Sequence, residues 1–143
     1  MNDELAELPG LTVMGLHTRA SNRELNRIGD LWRSFHAQGD HVIIPARVDD
    51  AHICVYCEYE GDHTQPYTIV IGCEVPPGTP TLDGMKTVRV EPGRFAVYRR
   101  AYARPNPVFV TWEEIWKTPL DRRYQADYDR YGSDGISVNV GIR

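Results

Sequence analysis

The stretch from His52 to Val75, HICVYCEYEGDHTQPYTIVIGCEV, constrains the fold more than any other part of this chain. Ile53 to Tyr59 is a run of β-branched and aromatic residues, the composition of a strand. Gly61, Asp62 and Pro66 punctuate a polar connection. A second run, Tyr67 to Val75, continues until Pro76-Pro77 ends it, because proline has no amide to give to a ladder. Alternation puts Ile53, Val55, Cys57 and Tyr59 on one face of the first strand. Tyr67, Ile69, Ile71, Cys73 and Val75 share a face of the second, with Gly72 and Glu74 on the other. A gapless apolar row on one strand face reads as core, and a tyrosine at the end of such a row, beside a loop holding Glu60 and Asp62, reads equally as the rim of a ligand cleft.

Around this pair the chain reads as strands and two amphipathic helices. Leu11 to Ala20 is a strand after Pro9-Gly10. Ser21-Asn22-Arg23-Glu24 has capping-box spacing, and Leu25, Ile28, Leu31, Trp32 and Phe35 recur at helical intervals. A helix is expected over 22–37, with Gly39 as its stop and Trp32 and Phe35 in the core. Residues 39–50, with Asp40, His41 and Pro45, read as a loop. After the turn-rich connector PPGTPTLDG (76–84), Met85 to Val90 and Phe95 to Tyr102 read as strands. Thr111-Trp112-Glu113-Glu114 repeats the capping-box spacing ahead of Ile115 and Trp116. Pro119 ends that helix, Asp121 to Ala126 suggests a further helical turn, and Tyr128–Tyr131 and Ile136–Ile142 are extended. Strand, helix, strand, strand thus occurs twice, in halves of about 8–75 and 85–143. The expectation is one α+β domain over 1–143: duplicated β-α-β-β units forming a mainly antiparallel sheet, helices on one face, and a ligand cleft between the halves.

Composition narrows the function. A net charge of −4 argues against a nucleic-acid surface, and the pairs Arg99-Arg100 and Arg122-Arg123 read as solvated charge. No apolar run reaches the length of a membrane span, and MNDELAELPG lacks a secretion-signal core. Three cysteines suit a reducing cytoplasm. Cys54 and Cys57 form a C-x-x-C, but in a strand they point to opposite faces, so they cannot pinch a metal. The histidines at 17, 36, 41, 52 and 63 show no ligand spacing. No metal and no cofactor is expected, and no nucleotide-loop or nucleophile-elbow motif occurs. The second half is dense in aromatics: Tyr98, Tyr102, Trp112, Trp116, Tyr124, Tyr128 and Tyr131. Asp127, Asp129 and Tyr131 share one face of their strand. Aromatic faces attract cations, and a poorly solvated carboxylate supplies the opposing charge.

Four segments taken together resemble the GyrI-like effector-binding superfamily: Y-C-E-Y-E-G-D-H-T-Q-P-Y-T-I-V-I-G-C-E-V (56–75), V-E-P-G-R-F-A-V-Y (90–98), T-W-E-E-I-W (111–116) and Y-D-R-Y (128–131). The resemblance is strongest to its stand-alone, integron-associated effector-binding proteins and spans residues 8 to 143. It implies a duplicated β-α-β-β fold and a cytoplasmic module that binds drug-like, aromatic, cationic small molecules. A glutamate of the family's C-terminal motif corresponds to Asp129, one methylene shorter, and the family's helix tryptophan to Trp112. The implied ligand contacts are Trp112, Trp116, Tyr59 and Tyr131 as aromatic walls, with Asp129 or Glu74 matching charge. No catalytic residue is assigned. No DNA-binding segment is expected before residue 8, so readout would fall to a separate regulator protein, with no direct nucleic-acid or membrane contact. The superfamily also implies two rivals: hydrolysis of reactive cyclopropane-containing natural products, and gyrase inhibition.

Overall fold

The computed structural model describes residues 2–38 and 44–143. The strand pair read from the sequence is present as β3 (His52–Cys57) and β4 (Tyr67–Val75), antiparallel, with Cys54 opposite Ile71. Before it come β1 (Asn2–Leu8), β2 (Leu11–Ala20) and helix α1 (Leu25–Ala37). After it come β5 (Lys86–Val90), β6 (Gly93–Arg100), helix α2 (Val108–Lys117), β7 (Ala126–Gly132) and β8 (Gly135–Gly141). The strands form one antiparallel sheet in the order β1-β6-β8-β7-β3-β4-β2-β5. A pseudo-twofold axis passes between β3 and β7, since β4-β2-β5 on one side matches β8-β6-β1 on the other. Each half is therefore the expected β-α-β-β unit preceded by one more strand. Those opening strands are exchanged: β1 pairs with β6 of the second half, and β5 with β2 of the first.

β1 went unread in the sequence because NDELAEL has neither β-branched residues nor alternation. It is an edge strand held by its ladder and by ion pairs across it, Glu4 to Arg99 and Asp3 to Arg100, each at 2.7 Å. Both helix starts differ from expectation. α1 begins at Leu25, because Ser21 spends its Oγ on the amide of Arg23 in a tight turn, 3.3 Å away. In α2, Thr111 is not the cap but lies inside the helix, bonding back to the carbonyl of Pro107 at 2.8 Å. Asn106 takes up the free amide of Val108 at 2.9 Å. The segment 121–126 makes no helical turn; Arg122 instead bridges to Ile142. Gly39, expected to stop α1, and Asp40 and His41 of the following loop lie outside the described residues.

Alternation in the strands separates two faces. Ile53, Val55 and Cys57 of β3 join Val13, Val70, Phe95, Val97 and Tyr128 in a core that draws on both wings of the sheet, so the sheet curls around this face. Cys54 goes to the opposite face with Ile69, Ile71 and Cys73, beneath α1. Val138 and Val140 lie under α2 on that same side. α1 packs on β2 and β4, and α2 on β8. The central strands β3 and β7 are left between the helices, and a cleft opens above them. No helix of the described residues is long and apolar enough to cross a membrane.

Tight curvature requires close backbone approach where β2 meets β4. Gly15 and Gly72 face each other there, and a Cβ on Gly72 would sit 1.8 Å from the Met14 carbonyl oxygen and 2.6 Å from the Gly15 Cα. The obstacle is backbone and cannot swing aside. Gly72→Ala is expected to destabilise the protein by about 3 kcal/mol, read as a lower urea midpoint; Gly29→Ala, in α1, where the added Cβ comes no closer than 3.6 Å to the Arg33 side chain, serves as the comparison.

Candidate functional site

The cleft between α1 and α2 encloses a cavity of about 260 Å³. β3 supplies its floor through Tyr56, and β7 through Tyr131. Leu25, Ile28 and Trp32 of α1 form one wall, and Val108, Phe109, Trp112 and Trp116 of α2 the other. Tyr59, His63 and Tyr67, from the β3–β4 hairpin, close one end together with Arg122. The rings meet mostly edge to face, Tyr56 on Trp112 at 5.2 Å and Trp32 on Tyr131 at 5.2 Å, while His63 stacks on Trp116 at 5.8 Å. Edge-to-face contacts hold rings rigid while leaving π-faces available to a guest.

Tyr59 reaches this cavity through a local break in the strand rule. Strict alternation would send it to the curled face with Cys57. Glu58, however, adopts φ 51°, which ends β3 and turns Tyr59 over to the helix side. Arg19 holds that conformation by donating to the Glu58 carbonyl at 2.6 Å.

Beneath the aromatic floor lie two buried carboxylates, opposite β3 in the β3–β7 ladder. Asp129 accepts from the Tyr56 hydroxyl at 2.6 Å and from the Trp112 indole N–H at 3.0 Å. It is 1% exposed and stands behind these two rings rather than in the lining. Burial pushes its carboxyl up to about 7; the bonds from Tyr56 and Trp112 pull it down, and nearby Asp127 pushes it up further. Asp127 accepts from Tyr59 at 2.5 Å, from the Gly141 amide at 2.8 Å and from Arg122 at 2.7 Å. The two acids have different partners: Asp127 has a guanidinium, whereas Asp129 has only neutral donors. Burial, then neighbouring Asp129, pushes the Tyr56 hydroxyl well above its ordinary value, so it stays a donor to the carboxylate. Among the described residues no cluster of His, Cys, Asp and Glu is arranged to hold a metal ion.

Of the residues singled out from the sequence, Tyr59, Trp112, Trp116 and Tyr131 converge on the cavity, with Asp129 directly behind it. Glu74 does not join them. It lies on the other face of β4, where burial, then Asp49, pushes its carboxyl up, because alternation separates it from Cys73 and Val75. Trp32, expected in the core, lines the cavity. Arg122, expected to be solvated, is 5% exposed and buried against Asp127. Tyr56, Tyr67, His63 and Asn22 were not singled out. Tyr56 was legible, since it shares a strand face with Cys54. The others depend on how the hairpin folds over α1, where Tyr67 donates to Asn22 and Asn22 to the His63 carbonyl. A second cleft of about 810 Å³ lies beyond Trp32 and Tyr131; its lining is polar and includes none of the other singled-out residues.

An aromatic cleft over a buried carboxyl, between the halves of a pseudo-symmetric sheet, defines a small-molecule-binding domain. Residues 4–134 match the family model of integron-associated effector-binding proteins, Cass2, and the chain belongs to that family. The GyrI-like resemblance holds with it. Among solved structures, an integron cassette protein from the mobile metagenome of Vibrio cholerae shares 24% identity at a TM-score of 0.80, over 99% of this chain and 95% of that one. SAV2435, solved bound to tetraphenylphosphonium, shares 14% identity at a TM-score of 0.74, over 100% and 94%. A transcription regulation protein from Staphylococcus aureus MU50 shares 12% at 0.71, over 100% and 99%. No curated protein matches the chain.

The raised Asp129 carboxyl has a measurable signature. An unfolded aspartate titrates near 3.9, so between about pH 4 and pH 7 the native state binds more protons than the unfolded one. The contribution of this group to stability is therefore greatest below pH 4 and falls as pH rises to about 7. Denaturation midpoints across that range are expected to show the fall in the native protein and to lose that component in Asp129→Asn.

Proposed function

We propose that the cavity binds an amphipathic aromatic cation, with the cationic group seated over Tyr56 and Trp112. The observation that carries this reading is the bond pair from those two residues to a buried carboxyl that no described cation neutralises. A Tyr hydroxyl and an indole N–H that donate to a carboxylate send electron density into their rings, and this strengthens the rings' attraction for a cation. Asp129 then acts from behind the wall. Its shorter side chain, compared with the family's glutamate, accounts for this indirect placement. The tetraphenylphosphonium bound by the structurally similar SAV2435 is a ligand of the same chemistry.

Benzyltrimethylammonium and its uncharged isostere neopentylbenzene, titrated calorimetrically, test the reading. A quaternary ammonium has no N–H to donate, so Asp129 acts on it through space; at an effective dielectric constant of about 20 that attraction is on the order of 1–2 kcal/mol, so Asp129→Asn is expected to weaken the cation about tenfold and to leave the isostere unchanged. Trp112→Ala is expected to weaken both. A cation near Asp129 favours its ionised form, so binding near pH 7 is expected to release protons and cation affinity to rise from pH 6 to pH 8. Equal losses for both probes in Asp129→Asn, with no proton release, would remove Asp129 from recognition.

A further inference from the structure

Arg122 borders the cavity beside Trp112, one of the two donors to Asp129, and keeps N–H donors that the fold does not use. A guanidinium carries five N–H donors. Among the described residues this side chain donates one hydrogen bond, from Nη2 to Asp127. Nε and Nη1 are buried and have no hydrogen-bond partner among them. The remaining contacts are ring faces: Tyr124 at 4.3 Å, Trp112 at 5.6 Å and Tyr59 at 6.0 Å from the guanidinium carbon to the ring centres. Rings attract the charge but satisfy no N–H directionally. Leaving charged donors unbonded in a buried site costs more than leaving neutral ones. Asp127 accepts from Tyr59, Gly141 and Nη2 of Arg122 and takes no bond from Nε or Nη1.

His63 lies close enough to feel the Arg122 charge. Its Nδ1 is also buried, with no hydrogen-bond partner among the described residues, and burial, then that charge, holds its imidazole below the ordinary value. The imidazole is therefore neutral at pH 7 and adds no positive charge of its own. Both residues line the cavity.

We propose that Arg122 is a second ligand-binding residue and that it receives an oxygen acceptor, a carboxylate or a carbonyl, carried by the same ligand as the cationic group. This rests on the cavity being the ligand site described above and deepens that reading. The favoured ligand is an aromatic molecule that carries both a cation and an oxygen acceptor. Asp127 holds the guanidinium in place and offsets its charge, so the site selects for hydrogen-bond acceptance as well as for charge.

The test compares benzyltrimethylammonium with its 4-carboxylate and 4-carboxamide derivatives by calorimetry. At least one derivative is expected to bind the native protein about tenfold more tightly than the parent, and the gain is expected to vanish in Arg122→Gln/Asp127→Asn, which replaces the ion pair by a neutral pair of similar shape. Arg122→Lys, which keeps the charge but loses the planar fork, is expected to retain only part of the gain. Circular dichroism and the affinity of the parent cation report whether each variant stays folded. No gain for either derivative, or a gain that survives in the neutral-pair variant, overturns the proposal while leaving the cation-binding reading intact. 4-Methylbenzoate, which has no cation, separates the two readings the other way: saturable, Arg122-dependent binding of this anion when benzyltrimethylammonium does not bind would support the acceptor site and remove the cation site. Absence of binding by all four probes overturns both.

Discussion

The antiparallel ladder between β3 and β7 is the seam on which the rest of the molecule depends. It joins the two halves at the pseudo-twofold axis, and its register sets Cys54 against Asp129 and Tyr56 against Asp127. The helices sit over β2, β4 and β8, so the seam lies in the gap between them. A cavity there follows from the topology. Its aromatic character follows from the sequence, because Tyr56 and Tyr131 are the residues that alternation turns upward.

The seam also sorts two acids two residues apart into different electrostatic settings. Both point to the helix side and both are buried. Asp127 meets a guanidinium and a backbone amide, while Asp129 meets a phenol and an indole. A buried carboxylate without a cation is costly, and the protein meets that cost with two directed donors and a carboxyl that holds its proton until near neutrality. In the proposed complex a guest cation supplies the missing charge.

Much of this was legible in the sequence. The apolar rows of β3 and β4, the two helices and the doubled element order follow from local periodicity, and Trp112, Trp116 and Tyr131 follow from motif and alternation. What escaped depended on distant partners. β1 is a strand only because β6 offers it a ladder and two arginines. Glu58 leaves the β region because Arg19, on another strand, holds its carbonyl, and that alone moves Tyr59 from one face to the other. Arg122 looked like half of a surface pair because its anion lies in a neighbouring strand and its aromatic cage comes from three separate segments. Thr111 has the spacing of a cap, yet Asn106 and Pro107 start the helix one turn earlier.

The exchange of β1 and β5 bears on how the chain reaches this structure. Asp3 and Arg100, 97 residues apart, meet across the β1–β6 pairing, so one sheet edge forms only after most of the polypeptide is in place. Non-local pairing of this kind slows folding, because a long loop must close before its contacts stabilise it. Neither half completes its own sheet: severing the connector at 76–84 would leave each fragment with the other's border strand and an unpaired β2 or β6 edge, the kind of edge that recruits further strands. The two units are thus obligate partners within one cooperative transition, and the cavity between them exists only when both have folded.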